Sequence, residues 1–281
     1  MTGEAHLHHE ETRAGWDLVG REKYRAEFDE HVALLRAGRH NLLEVEEKEL
    51  GRLLRGRHVI HLQCSHGLDA IGLLNAGAAS VLGIDISEEM ITQAKAKASA
   101  VEVQDIEFIR CDVLDAPEAL NGTADLIYTG RGSLPWILDL GRWAETIRRL
   151  LRPGGRVYVF EGHPLADLWD RSANRLEMRP GVSYFDETVR EAKGFPAGVI
   201  RRLAGKGGPT MRERHWRPGQ VIDSLLVEGL RLESFREHPT LFWDQFPLWL
   251  EELRRRLPNS YSILAKFPES PDEGPELAAR S

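Results

Sequence analysis

Short apolar runs alternate with stretches of helical periodicity through the middle of the chain. The apolar runs lie at residues 58–62, 81–84, 106–109, 125–128 and 157–160. Helical spacing of apolar residues marks the stretches 69–75, 88–100 and 136–151. Asp69 and Ser87 are predicted to cap the first two of these helices, and residues 152–155 to end the third. Because strands that alternate with helices are joined by crossovers, this pattern predicts an α/β fold with a mostly parallel sheet and helices on both faces.

The chain before the first predicted strand has two parts. Residues 1–12 are polar and predict a solvated tail, an interpretation that we favour over a metal site built from His6, His8 and His9. Apolar residues of the next stretch recur at three- and four-residue steps up to residue 55, which indicates helices. Residues 1–55 are therefore predicted to be an N-terminal helical segment, followed by an α/β core at 56–164.

The alternation stops after Pro164. Residues 165–210 contain many glycines and prolines, including the run 205–209, and predict an insertion or lid. A helix at 218–229 and strands at 230–237 and 261–267 place residues 211–267 in the C-terminal part of the core. Residues 241–257 between the two strands predict a helix packed on the core or on a partner, and residues 268–281 predict a polar tail.

Composition excludes several classes of protein. The chain has 281 residues, of which 42% are hydrophobic, and no run approaches the roughly 18 apolar residues that span a bilayer. Its net charge of -7 disfavours nucleic acid or an anionic membrane as the main partner. The N-terminus lacks the basic and apolar regions of a secretory signal, and two cysteines make no disulfide framework. We therefore predict a cytoplasmic protein.

Polar residues follow the first three strands where a ligand is expected. In an open parallel sheet, ligands bind outside the carboxyl ends of the strands. The loop 63–67 follows the first strand, and Asp85 and Asp112 follow the second and third. An acid about 20 residues beyond the first loop is placed to accept both hydroxyls of a ribose. The sequence therefore predicts a nucleoside-like ligand with Asp85 on its sugar.

The first loop discriminates between nucleoside cofactors. A bound pyrophosphate requires the pattern Gly-x-Gly-x-x-Gly, in which the backbone approaches the phosphates closely. Gln63, Ser65 and Leu68 stand at the corresponding positions, and only Gly67 is a glycine. This loop disfavours NAD and FAD, so an NAD-dependent oxidoreductase is the weakest of the functional hypotheses.

Four segments together resemble class I S-adenosylmethionine-dependent methyltransferases. These are His61-Leu-Gln-Cys-Ser-His-Gly-Leu-Asp69, Val81-Leu-Gly-Ile-Asp-Ile-Ser87, Arg110-Cys-Asp112 and Leu151-Arg-Pro-Gly-Gly155. The resemblance covers residues 56–164 and, more weakly, 216–267. It implies a Rossmann-like seven-stranded sheet whose last strand is antiparallel. His61 replaces the usual acid, and Gln63 and Ser65 replace usual glycines, as in a sub-group with a His-x-Gln-Cys loop.

The resemblance also implies a set of residues that bind S-adenosylmethionine. The first loop would pass under the methionine, Asp85 would bind the ribose, and Asp112 would meet the adenine edge. In the sub-group, an upstream aromatic segment covers the cofactor, although Trp16 and Tyr24 fit equally well as anchors of an N-terminal helix. The predicted cofactor residues are Trp16, Tyr24, Gln63, Cys64, Ser65, Gly67, Asp85, Ile86, Met90, Asp112, Val113, Thr129 and Gly130.

Residues for catalysis and acceptor binding are predicted from their positions alone. His163 follows the fifth strand, and His215 follows the predicted lid, so each is a candidate base, with a structural role as the alternative. Tyr184 and Trp216 are candidate acceptor contacts, with packing as the alternative. The cysteines Cys64 and Cys111 fit small residues of tight loops better than nucleophiles.

Two functional hypotheses therefore remain ahead of the oxidoreductase. The first is a methyltransferase that acts on a small molecule inside the lid. The second is a non-methylating protein of the same fold that binds the cofactor for regulation. A homodimer formed through the apolar segment 241–250 is a further possibility.

Overall fold

A seven-stranded mixed sheet organises the computed structural model, which describes residues 3–192, 196–204 and 208–269. Its order along the sheet is β3-β2-β1-β4-β5-β9-β8. The strands are β1 (His58–Leu62), β2 (Ser80–Asp85), β3 (Ile106–Arg110), β4 (Ala124–Gly130), β5 (Leu151–Gly162), β8 (Arg231–His238) and β9 (Ser260–Lys266). A separate two-stranded ribbon joins β6 (Arg190–Glu191) and β7 (Arg212–Glu213).

The pairing confirms the predicted α/β fold. Strands β1 to β5 are parallel to one another, whereas β9 is antiparallel to both β5 and β8. The order reverses beside β1, where β2 lies on one side and β4 on the other. In open α/β sheets, such a switch point leaves a crevice at the carboxyl ends of the strands.

Helices cover both faces of the large sheet. Their bounds are α1 (Gly3–Val19), α2 (Phe28–Arg36), α3 (Glu44–Leu54), α4 (Leu68–Asn75), α5 (Glu88–Ala100), α6 (Leu140–Leu150), α7 (Ala197–Ala204), α8 (Pro218–Val227) and α9 (Glu251–Arg254), with a π-helical turn at Gly20–Tyr24. Successive strand residues point to opposite faces. Val59 accordingly packs with α3 to α5, and Ile60 packs with α6 and α8.

Several local predictions were wrong. The polar N-terminal residues are not a tail, because α1 begins at Gly3. The N-cap of α4 is Gly67 rather than Asp69, although Ser87 caps α5 as predicted, through a 3.1 Å bond to the Met90 N–H. Residues 152–155 begin β5 instead of ending a helix. The segment 241–257 is mostly irregular, and α9 is its one helix in the part of the chain that is described.

Some predicted features lie outside the described residues. These are Gly194, residues 205–207 of the predicted flexible run, positions 270–281 of the predicted tail, and the side chain of His6. Within the described ranges, no helix is both long enough and apolar enough to span a membrane. The same residues contain no group of three metal-ligating side chains.

Candidate active site

A cavity of about 1400 Å³ opens at the carboxyl ends of the parallel strands. Its wall includes residues that directly follow β1, β2, β3, β4 and β5, so the predicted crevice is present. Ordinary ligand pockets measure about 300–1,000 Å³. This cavity therefore has room for two ligands side by side, such as a cofactor and an acceptor.

Helix α1 forms one wall of the cavity. His9, Thr12 and Trp16 line it at spacings of three and four residues, which is one helix face. Trp16 also contacts the ring of Trp136 edge-on, with the centroids 5.6 Å apart. On α1, Gly15 packs tightly on Met211, because a Cβ there would lie 2.5 Å from the methionine sulfur. The N-terminal residues thus belong to the site.

Asp85 lies at the tip of β2 with both carboxylate oxygens bonded to the backbone. Its oxygens accept the N–H groups of Ser65 at 2.8 Å and Ser87 at 2.9 Å. Burial raises the pKa of Asp85 to about 6, and these hydrogen bonds oppose the increase only in part. Each oxygen has a further lone pair for a ligand hydroxyl. The geometry is therefore compatible with the predicted grip on a ribose.

The loop after β1 takes left-handed backbone conformations without the usual glycines. Gln63 has a φ of 54° and Ser65 a φ of 49°, values that favour glycine. The Gln63 side chain is fixed by a 2.8 Å bond from its Nε2 to the Ser133 carbonyl. This bond directs its Oε1 away from Ser133, and that oxygen is buried without a hydrogen-bond partner in the described structure.

Aromatic and imidazole rings stack beside this loop. The ring centroids of Tyr24 and His66 are 4.0 Å apart, and His31 stacks on His66 with the centroids 4.9 Å apart. Burial and the nearby Lys97 ammonium lower the pKa of His66, and burial lowers the pKa of His61 to about 4. Both rings are therefore neutral at physiological pH.

Glu161 is a site residue that sequence analysis missed. This buried carboxylate at the end of β5 accepts the N–H groups of Gly132 at 2.7 Å and Leu134 at 3.0 Å. It therefore shapes the loop after β4, which lines the cavity. An acid directly after a strand was a detectable signal, but its partners come from another strand end.

A cluster of charges forms the part of the cavity beyond β5. Asp167 bonds to His215 Nδ1, and its oxygens also accept Arg171 at 2.9 Å and Arg190 at 3.0 Å. Burial alone would lower the pKa of His215, but its contacts with Asp167 and Glu213 outweigh burial and raise the pKa to about 9. A pKa of about 9 makes His215 a cation at neutral pH, and its role as a base remains a prediction.

His163 lines the cavity, but both of its ring nitrogens are engaged. Its Nδ1 accepts the Leu165 N–H at 3.2 Å, and its Nε2 lies 3.1 Å from Glu237. Burial lowers the pKa of His163 more than Glu237 raises it. The ring is thus neutral and held in place, and its role as a base remains a prediction.

Most predicted cofactor residues are brought together, and some are not. Those that line the cavity are Trp16, Tyr24, Gln63, Cys64, Ser65, Asp85, Ile86, Met90, Asp112, Val113 and Gly130. Gly67 instead packs on α5, where a Cβ would lie 2.6 Å from the Ala94 methyl. Thr129 is fully buried and bonds to the Ser133 hydroxyl at 3.0 Å. Both act behind the wall of the cavity.

The two predicted acceptor contacts do not line the cavity. Trp216 belongs to the core beside α6 and α8, and its indole N–H donates to the Ile137 carbonyl at 2.8 Å. Tyr184 stacks on His163 with the ring centroids 6.2 Å apart. The structural alternative for Trp216 is therefore the observed one, whereas Tyr184 supports a residue that does face the cavity.

The cysteines lack the features of nucleophiles. Burial raises the pKa of the Cys64 thiol well above its ordinary value. Burial and the nearby Asp112 carboxylate raise the pKa of Cys111 to about 11. Because the thiolate is the reactive form, these raised pKa values disfavour both cysteines as nucleophiles at neutral pH.

Orphaned polar atoms on the cavity wall test whether the predicted cofactor fits. Gln63 Oε1, His61 Nδ1, His66 Nδ1 and His9 Nε2 are buried in the described structure without hydrogen-bond partners. Buried polar groups are normally paired, and unpaired ones indicate a missing ligand or water. S-adenosylmethionine would offer hydroxyl, ammonium, carboxylate and adenine groups to this wall. The residues present therefore fit it.

Known proteins are similar to the part of the chain that forms the cavity. A family model described as a methyltransferase domain matches residues 59–155. The demethylmenaquinone methyltransferase of Lactococcus lactis is 28% identical over 216 residues, which cover 71% of this chain and 84% of that protein. The ribosomal protein L11 methyltransferase of Vibrio cholerae is 34% identical over 37% of this chain and 33% of its own length.

A solved structure shows the same fold. An S-adenosylmethionine-dependent methyltransferase from Mesorhizobium loti superposes with a TM-score of 0.57 at 24% identity. The match covers 79% of this chain and 97% of that one. The fold of this chain therefore agrees with a known architecture.

Proposed function

We propose that the chain is a class I S-adenosylmethionine-dependent methyltransferase, which the methyltransferase-domain match over residues 59–155 and the similarity to the Lactococcus lactis enzyme support. Its acceptor in this proposal is a small aromatic molecule held between the cofactor and the segment after β5. The observation that supports this acceptor is the size of the cavity, which continues from Asp85 and Asp112 to Phe242 and Trp243. A relative that matches 71% of this chain is named for demethylmenaquinone, which also favours an aromatic acceptor.

Most of the rate in this proposal comes from alignment. When bound, the cofactor supplies a sulfonium methyl group that is already electrophilic. The chain would hold the two reactants in line and exclude water, effects that together supply about 7–11 kcal/mol in favourable intramolecular cases. Glu161 would position the loop after β4 beside the reacting groups. Since His215 is a cation and both nitrogens of His163 are engaged, the proposal requires neither as a base.

Turnover with defined acceptors tests the proposed class. The protein would be incubated with S-adenosylmethionine and either 1,4-naphthohydroquinone or catechol, and S-adenosylhomocysteine would be quantified. We expect release with at least one aromatic acceptor, and slower release with the Asp85→Ala variant when S-adenosylmethionine is limiting. Release with ribosomal protein L11 but with neither aromatic compound would contradict the small-molecule proposal.

Cofactor binding is expected to weaken in acid. A ribose hydroxyl donates to the Asp85 carboxylate, and the pKa of that group is raised to about 6. Binding therefore requires loss of the proton, and affinity falls by about tenfold at one pH unit below the pKa. Calorimetric titration with S-adenosylhomocysteine from pH 5 to 8 measures this slope. An Asp85→Asn variant should show a flat profile, and an equally steep one would assign the slope to another group.

Three finer assignments remain predictions. The segment His61–Cys64 supports the sub-group with a His-x-Gln-Cys loop. Trp243, Leu248 and Leu250 expose apolar surface, which is compatible with a homodimer. Cytoplasmic location is predicted from composition.

A further inference from the structure

We propose that His9 of α1 acts with Asp112 to recognise the 6-amino group of the cofactor's adenine, and so selects adenosine over a 6-oxopurine nucleoside. The resemblance assigned the adenine edge to Asp112 alone, and the residues around His9 were expected to be a tail. The inference rests on the cofactor and is independent of the proposed acceptor.

The first step concerns the proton between the two side chains. His9 is 4% exposed, and its Nδ1 bonds to Asp112 Oδ2. The other Asp112 oxygen accepts the Leu114 N–H at 3.0 Å. Burial raises the pKa of Asp112, but the bond from His9 outweighs burial and lowers it, so the carboxylate is ionised. An ionised carboxylate only accepts hydrogen bonds, and the shared proton therefore sits on His9 Nδ1.

The second step concerns the opposite ring nitrogen. In the tautomer that carries its proton on Nδ1, the His9 ring presents a lone pair on Nε2. This atom is buried and has no hydrogen-bond partner in the described residues, and His9 lines the cavity. A buried acceptor without a hydrogen-bond partner costs free energy. A ligand that donates a hydrogen bond to this nitrogen would remove that cost. Asp112 retains free lone pairs and offers a second acceptor beside it.

The third step identifies the donor. An exocyclic amino group has two N–H bonds, and it can donate one to each of two neighbouring acceptors. A 6-oxopurine presents a carbonyl oxygen at the same position, which would face two acceptors without a proton between them. Apolar walls from Ile86 and Val113 border the same part of the cavity and suit the faces of a purine ring.

The position of His9 is fixed by the docking of α1 on α5. Asp17 accepts the Ser87 hydroxyl at 2.6 Å and the Glu89 N–H at 3.2 Å. Arg13 holds the same carboxylate from within α1 at 2.9 Å. These bonds join α1 to the start of α5, the helix that follows Asp85. They therefore hold His9 in a defined position relative to the carboxylate that is proposed to bind the ribose.

The test compares two nucleosides on the full chain. Binding of S-adenosylhomocysteine and of S-inosylhomocysteine, in which an oxygen replaces the 6-amino group, would be measured by calorimetry. We expect the parent protein to prefer the adenosine form. We expect His9→Phe to reduce that preference by about tenfold, the scale of one lost hydrogen bond.

Matched variants keep the test interpretable. His8→Phe changes the adjacent residue, which lies 3.6 Å from Glu11 and does not line the cavity, and should leave the preference unchanged. His9→Gln retains a donor for Asp112 and an acceptor for the ligand, so it should restore part of the preference, and it replaces His9→Phe if that variant does not fold.

Two results would overturn the inference. If His9→Phe leaves both affinities unchanged, or weakens both by the same factor, the preference is unchanged and His9 has a structural role. If the parent protein binds neither nucleoside, the cofactor assignment fails together with the inference. If the chain binds S-adenosylhomocysteine but methylates no aromatic acceptor, only the acceptor proposal fails, and this binding preference is still expected.

Discussion

Replacing Asp167 with asparagine is expected to lower the free energy of unfolding by about 3 kcal/mol, the lower end of the cost of removing one partner from a buried ion pair. Asp167 is the common partner of His215, Arg171 and Arg190. Both arginines are about one-third exposed, so most of the loss comes from His215. Urea denaturation at pH 6 measures the change.

The pH dependence of stability identifies the pair responsible. The contacts with Asp167 and Glu213 overcome burial and raise the pKa of His215 from 6.5 to about 9. Its contribution is therefore complete below pH 6.5 and is lost as the pH rises through 9. At Asp167, burial raises the pKa, but the hydrogen bond and charge of His215 outweigh burial and lower the pKa from 3.8 to about 2. The contribution of Asp167 to stability is therefore complete above pH 3.8 and is lost as the pH falls through 2.

Asp167→Asn should therefore flatten the loss of stability between pH 6.5 and 9. A matched control is Asp186→Asn in the same segment, because Asp186 is exposed and, among the described residues, its side chain accepts hydrogen bonds from Thr188 alone. The control should change stability by less than about 0.5 kcal/mol. Equal effects of the two substitutions would show that the charge cluster does not stabilise this segment.

Replacing Asp85 with alanine is expected to weaken S-adenosylhomocysteine binding by about 1–3 kcal/mol, the scale of a hydrogen bond to a charged group. This loss of binding free energy corresponds to about a fivefold to 150-fold increase in Kd. The carboxylate is the one predicted ribose ligand, and the Ser65 and Ser87 amides hold it toward the cavity. Calorimetry at pH 8, where Asp85 is ionised, gives the largest difference.

Two comparisons separate binding from folding in that experiment. Asp85→Ala also removes the acceptor of two backbone N–H groups, so its thermal unfolding must be followed beside Asp85→Asn, which keeps one acceptor oxygen. Asp105→Ala alters an exposed acid that does not line the cavity and should bind the ligand as the parent does. Unchanged affinity in both Asp85 variants would refute the assignment of the ribose site.

Local patterns were sufficient to predict the sheet and one edge of the site. Strand runs bounded by helical stretches identify parallel crossovers, and the carboxyl ends of such strands meet at one edge. Asp85, Asp112 and Gly130 could therefore be placed on the cavity from their positions directly after strands. Ser87 was also predictable as an N-cap, because its bond reaches only as far as Met90.

Contacts between distant residues could not be predicted in the same way. Nothing in the polar sequence before residue 13 indicates that His9 is buried, because its partner Asp112 lies 103 residues away. Glu161 likewise meets amides 27 and 29 residues earlier in the chain. Trp216 was expected in the acceptor site, but its indole N–H found a carbonyl in the core.

The sequence by itself thus determined the α/β architecture and the position of Asp85 at the strand edge that lines the cavity, because these follow from short-range periodicity and the geometry of parallel strands. Only the tertiary structure decided that α1 forms a wall of the cavity and that His215 is ion-paired with Asp167. Burial and the charges of partners distant in sequence set those properties, and neither can be derived from neighbouring residues alone.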